Sequence, residues 1–186
     1  MLEVLIIMAL MLLLFTMYWS FAAKGKSPSR LKGCQKNLEK IYVALDIFAT
    51  EHGSRFPVVT NAQTSAGALA GLLPLYTVDT TVFICPGSGD SPLASGESIA
   101  KKKISYAYFM GRGRANGVEV LMSDQLVDAL PKAAGQMAFS MTGKSPGNNH
   151  EKIGGNFLFT DGHVEATPAT LPFSLVIPPG IVLLNP

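Results

Sequence analysis

Val4-Leu-Ile-Ile-Met-Ala-Leu-Met-Leu-Leu-Leu-Phe-Thr-Met-Tyr-Trp-Ser-Phe-Ala-Ala23 runs for 20 residues without a charged side chain, and a single acid, Glu3, precedes it. At 1.5 Å rise per residue, a helix of this length covers about 30 Å, the hydrocarbon thickness of a bilayer. Residues 1–23 are therefore predicted to form a membrane-spanning helix. A cleavable secretory signal would open on basic residues and carry a shorter apolar core, so the acidic start and long run predict an anchor that stays attached. Lys24, Lys26, Arg30 and Lys32 follow the run and no base precedes it. By the positive-inside tendency that asymmetry places the rest of the chain in the cytoplasm.

Residues 24–186 suffice for one domain with a modest core. Ser27 and Pro28 form a preferred helix start, and Leu31, Cys34, Leu38, Ile41, Leu45, Phe48 and Ala49 recur at three- and four-residue spacing. An amphipathic stalk helix over 28–52, stopped by Gly53, is expected to continue the membrane helix across a kink. Sheet and loops occupy 53–186. A short helix is predicted over 65–73, and strands over 81–85, 104–109, 118–122, 156–160 and 163–166. Asp161-Gly162 between the last two runs is a hairpin signal, with positive φ expected at both turn positions. The fold class is α+β, a long helix packed against a small antiparallel sheet. Net charge is +2 with bases scattered apart from Lys101-Lys102-Lys103, which is no nucleic-acid footprint. That triplet reads as a solvated gatekeeper, and Arg112 and Arg114 as a solvated hairpin tip.

The decapeptide Met1–Leu10 resembles the start of mature type IV pilins and type II secretion pseudopilins, whose pattern is Phe-Thr-Leu-Ile-Glu followed by aliphatic residues. With two residues added in front, Glu3 falls on the glutamate of that pattern. The resemblance extends in order through Cys34–Tyr42, Gly53–Pro57, Val82–Pro86, Ser105–Tyr108, Val120–Asp124 and Asn149–Val164. This series is similar to a planctomycete and verrucomicrobial branch of prepilin-type proteins, some labelled type II secretion protein G-like. Their C-terminal signature is His, nine residues, then Asp-Gly; here His150 and Asp161-Gly162 are separated by ten. The resemblance implies a pilin-like fold and a non-enzymatic subunit of a secretion or pilus system. Its partners would be copies of itself, related subunits and the inner-membrane assembly machinery. It also implies a single-pass inner-membrane location with the C-terminal domain in the periplasm or on a filament. A basic leader ending in Gly would then precede Met1, which would reconcile that location with the lysines after Ala23. Glu3 would pair with a neighbouring subunit's terminal amine; its other reading is an interfacial acid at the positive end of the helix dipole.

Cys34 and Cys85, an even count in an extracytoplasmic domain, suggest a disulfide; the alternative is two buried free thiols. Calcium, bound in a C-terminal loop by pseudopilins this chain resembles, would take Asp124 and Asp161 as oxygen donors; no other cofactor is expected. A metal-dependent hydrolase would recruit Asp124, His150, Asp161 and His163, but paired-His spacing is absent. An anchored binding module would present loops 87–98 and 111–117. Gly143-Lys144-Ser145 ends a relaxed phosphate-loop pattern, yet Pro146 and Gly147 follow where a helix would have to start, so no nucleotide site is expected.

Overall fold

The structure, a computed structural model, describes residues 2–94, 97–114 and 117–186; within the first helix the side chains of Leu2, Leu5 and residues 18–27 are not described. Helix α1 spans Leu2–Glu51 as one element of 50 residues, about 75 Å long at the α-helical rise. Pro28 lies inside it, so the expected fresh start at Ser27 is not taken and the stalk is continuous with the N-terminal segment. Among the described residues no helix is long and apolar enough to cross a membrane. The span expected over Val4–Ala23 reaches residues 18–23, whose side chains lie outside the described set.

The second half of α1 behaves as its spacing dictates. Cys34, Leu38, Ile41, Leu45 and Ala49 are buried on one face, with Tyr42 and Phe48 packed beside them. Gly53, at a φ of 63°, ends the helix, and the Ser54 amide returns to the Ala49 carbonyl at 2.8 Å.

The buried face of α1 packs against an antiparallel sheet. Its strands are β1 (Tyr106–Met110), β2 (Val120–Asp124), β3 (Gly155–Phe159), β4 (Val164–Thr167) and β5 (Val182–Leu184), in the order β4-β3-β2-β1-β5. β1 is buried throughout because both sheet faces are covered. Tyr106, Tyr108 and Met110 point to the helix side, while Ala107 and Phe109 face a second cluster with Leu126, Phe139, Phe157, Leu171 and Leu175. The irregular segments 125–139 and 169–177 thus serve as the layer opposite the helix.

Helix α2 (Ser65–Leu69) continues into a 3₁₀ turn, Ala70–Leu72, and Thr64 caps it by accepting from the Gly67 amide at 3.2 Å. The strand expected over 81–85 is instead a 3₁₀ helix, Thr80–Phe83, capped by Asp79. Asp79 accepts from both the amide and the hydroxyl of Thr81, which closes a tight turn in place of an extended run. The hydroxyl bond is also the chief reason the Asp79 carboxyl sits below its ordinary range.

The β3–β4 hairpin forms where Asp161-Gly162 predicts it, with a different turn. Only Gly162 takes positive φ, 94°, and Gly162 N–H and Phe159 N–H bond the carbonyls of Phe159 and His163, each at 3.0 Å. That is a wider loop closed by a left-handed glycine. Tyr42 of α1 lies against this turn and donates its hydroxyl to the Thr160 carbonyl at 3.2 Å. A Cβ at Gly162 would stand 2.8 Å from Tyr42 Cδ1. Gly162→Ala is therefore expected to cost about 3 kcal/mol, from the φ penalty plus displacement of the ring. In a thermal melt this reads as roughly 6–12 °C. Gly71, which faces open space, should accept Ala with little change.

Candidate functional site

Two features stand out, an uncovered helix end and a buried polar cluster. From Val4 to Met17 every described large apolar side chain of α1 is more than half exposed, and Glu3 lies in the first turn. An apolar surface of this extent on a single helix is what buries itself in lipid or against other helices. The same helix, from Cys34 onward, is the spine of the domain core.

The cluster forms where α1 crosses the end of β2. Cys34 and Cys85 are joined in a disulfide with Cα atoms 5.1 Å apart, closing a sequence separation of 51 residues. Beside it, the Asp124 carboxylate is fully buried at the end of β2. Its Oδ1 accepts from Asn149 Nδ2 at 3.1 Å. Its Oδ2 accepts from His150 Nε2 at 3.1 Å, from Asn156 Nδ2 at 3.0 Å and from the Asn156 amide at 2.7 Å. A buried charge is tolerated when donors converge on it in this way. The donors are themselves anchored: Asn149 Nδ2 also reaches the Ser105 carbonyl at 2.8 Å, and Asn156 Nδ2 reaches the Leu31 carbonyl of α1 at 3.2 Å. Asn37, one turn beyond Cys34, donates to the Ile84 carbonyl at 3.0 Å. Burial first, and then the Asp124 charge, push the neighbouring Tyr106 phenol well above its ordinary value. The cluster ties α1, the Cys85 segment, β2, β3 and the 149–150 loop at one point.

The residues singled out from sequence separate into two places. His150 is buried on Asp124, not solvent-facing. Asp161 and His163 are about half exposed at the β3–β4 turn, where His163 Nδ1 meets Asp161 Oδ1 at 2.6 Å and the imidazole stacks on Phe159. Asp124 neighbours Asn156 at the start of β3, whereas Asp161 lies beyond its end, so the two carboxylates do not share an ion. The expected calcium pair and the four-residue hydrolase set are not assembled. Arg112 and Arg114 are not a free hairpin tip either. Arg112 is buried, pairs with Glu119 and donates to the Val176 carbonyl at 3.2 Å, and Arg114 pairs with Asp46 of α1. Lys101, Lys102 and Lys103 are exposed as expected; Lys102 meets Glu97 at 2.7 Å, and Lys103 meets Asp90 at 2.8 Å. No helix follows Gly143-Lys144-Ser145.

No family model, no curated protein and no solved structure matches this chain. The two features above are therefore the guides to function beyond the sequence. Its His150–Asp124 contact joins positions 26 residues apart, so no local spacing announces it. The available signal was compositional: polar Ser123-Asp124 closing an apolar strand, and Asn149-His150 in a loop rich in turn residues. A carboxylate ending a buried strand needs donors, and these are the ones the chain offers.

Proposed function

We propose that this chain is a pilin-like structural subunit, held in the inner membrane by Val4–Ala23 and assembling with copies of itself or related subunits through that helix. The observation that carries the reading is the division of α1: one continuous helix that is core spine at one end and exposed apolar surface at the other. Packing an antiparallel sheet on the second half of such a helix leaves the first half available for a bundle. The disulfide supports an oxidising compartment for the domain, in keeping with the periplasm or a filament surface. The reading is of a structural, non-catalytic protein, since the side chains of the buried cluster offer almost no surface to a substrate. Glu3, at the exposed start of α1, is then the residue that sets register between neighbouring helices, by pairing with a partner's terminal amine.

Single cysteines placed in the exposed segment, at Met8, Met11 or Phe15, test this. In membranes of the producing cells, oxidation should give intersubunit products at a subset of positions following helical spacing, and Glu3→Ala should reduce them severalfold. Monomer at every position would overturn the assembly reading and favour an anchored module acting alone.

A further inference from the structure

The buried cluster holds four groups that also make up a metal-ligand set. Cys34 Sγ, Cys85 Sγ, one Asp124 carboxylate oxygen and one His150 ring nitrogen all lie within 4.8 Å of one another. His150 Nε2 is 3.1 Å from Asp124 Oδ2 and 3.6 Å from Cys85 Sγ. The carboxylate and the sulfur thus meet the same ring nitrogen. A proton relay would use both nitrogens of the imidazole in series; convergence on one nitrogen is instead the arrangement of donors around a point. Around a tetrahedral zinc ion with bonds of about 2.0–2.3 Å, donor atoms stand roughly 3.3–3.8 Å apart, which the spacings at Nε2 already approach. The two sulfurs are too close, because they are bonded to each other.

We propose that Cys34, Cys85, His150 and Asp124 form a redox-gated site for a zinc-class divalent cation, closed to metal in the disulfide state and open to it when the disulfide is reduced. The inference is independent of how the chain assembles. A dithiol reductant supplies two electrons and two protons, converting Cys34–Cys85 to two thiols and becoming a disulfide itself. The cation then binds two thiolates, releasing those two protons to solvent. His150 coordinates through Nε2 as the neutral imidazole. The Nε2 proton that Asp124 accepts in the disulfide state leaves to solvent and one is taken up from solvent on Nδ1, a buried atom that has no hydrogen-bond partner in the disulfide state, so the exchange is proton-neutral. Asp124 supplies the fourth donor while Asn149 and Asn156 keep hold of its carboxylate. Two sulfurs, a nitrogen and a carboxylate oxygen suit zinc over calcium or magnesium. All four side chains are buried, so the ion enters as the reduced chain folds. In a reducing compartment it would join α1 to the Cys85 segment at the point the disulfide joins after oxidation.

The full chain in mild detergent, reduced by a phosphine under anaerobic conditions, is titrated with zinc and separately with cobalt. One equivalent should bind per reduced chain, with a thiolate-to-cobalt charge-transfer band and tetrahedral visible bands, and none per oxidised chain. His150→Gln, chosen to limit disruption, should weaken zinc affinity about tenfold or more, and Cys34→Ser with Cys85→Ser should abolish the charge-transfer band. Near-ultraviolet circular dichroism follows folding throughout. A reduced chain that unfolds without metal and regains its signal on adding zinc supports the site. A reduced chain that binds no more zinc than the oxidised one overturns it, as does affinity in His150→Gln within twofold of the parent, because that would be non-specific dithiol binding.

Discussion

Asp124→Ala is expected to destabilise the domain by about 4 kcal/mol, the largest effect of any single substitution proposed for this chain. The carboxylate is the common acceptor for Asn149, His150 and both the side chain and amide of Asn156. Removing it leaves several donors buried without a partner, each with a desolvation penalty of about 1–3 kcal/mol, partly relieved if water enters the gap. Asp124→Asn separates shape from charge. One acceptor oxygen can be turned toward Oδ2's three donors, but its amide then faces Asn149 Nδ2, so a smaller loss of about 2 kcal/mol is expected. Urea unfolding at pH 7, followed by near-ultraviolet circular dichroism of the buried tyrosines, measures both. If Asp124→Ala lost under about 1 kcal/mol, the carboxylate would not be the hub its hydrogen bonds describe.

Loss of the disulfide comes next. Cys34→Ser with Cys85→Ser, measured with a chelator present so that no metal substitutes, is expected to lower stability by about 4 kcal/mol. The loop-closure relation gives that figure for the 51-residue separation, and it is an upper value because an unfolded chain keeps residual structure. The change should fall mostly on the unfolded state. Tyr42 against the hairpin and the Asn37 bond to Ile84 should persist in the variant at low denaturant, visible as an unchanged native spectrum. A variant that stays folded but loses far less would show that the reduced chain already holds α1 in place through Asp124 and Asn156.

The long helix was legible because one apolar stripe from Leu31 to Ala49 survives any choice of endpoints, and Gly53 stops it. The hairpin was legible from Asp161-Gly162, although its turn takes positive φ at Gly162 alone and not at both turn positions. For Cys34 and Cys85, count and compartment suggested a disulfide but left two buried free thiols open, and the structure shows the bond. The misreading at 81–85 came from β-branched and aromatic residues that favour strands, overridden by the Asp79 cap. β5 was hidden inside an apolar, proline-broken stretch, where only register against β1 distinguishes strand from covering loop. Arg112 looked exposed because its glycine-rich neighbours suggest a free tip; its burial depends on Glu119 and Val176 arriving from other segments. The buried cluster was the least legible, since its parts come from five places in the chain and each alone is an ordinary polar residue.

The position of the disulfide on α1 has a mechanical meaning. Among the described residues of the helix, Cys34 is the first that is fully buried as it enters the domain. A pull on the N-terminal end would tend to strip the helix from the sheet starting there. Instead, tension arriving at Cys34 passes through the sulfur bridge into Cys85 and the sheet domain, and the turns from Gln35 to Glu51 carry little of it. Non-covalent packing along the stalk then only has to position the domain, while resistance to traction rests on a covalent clamp at its entrance.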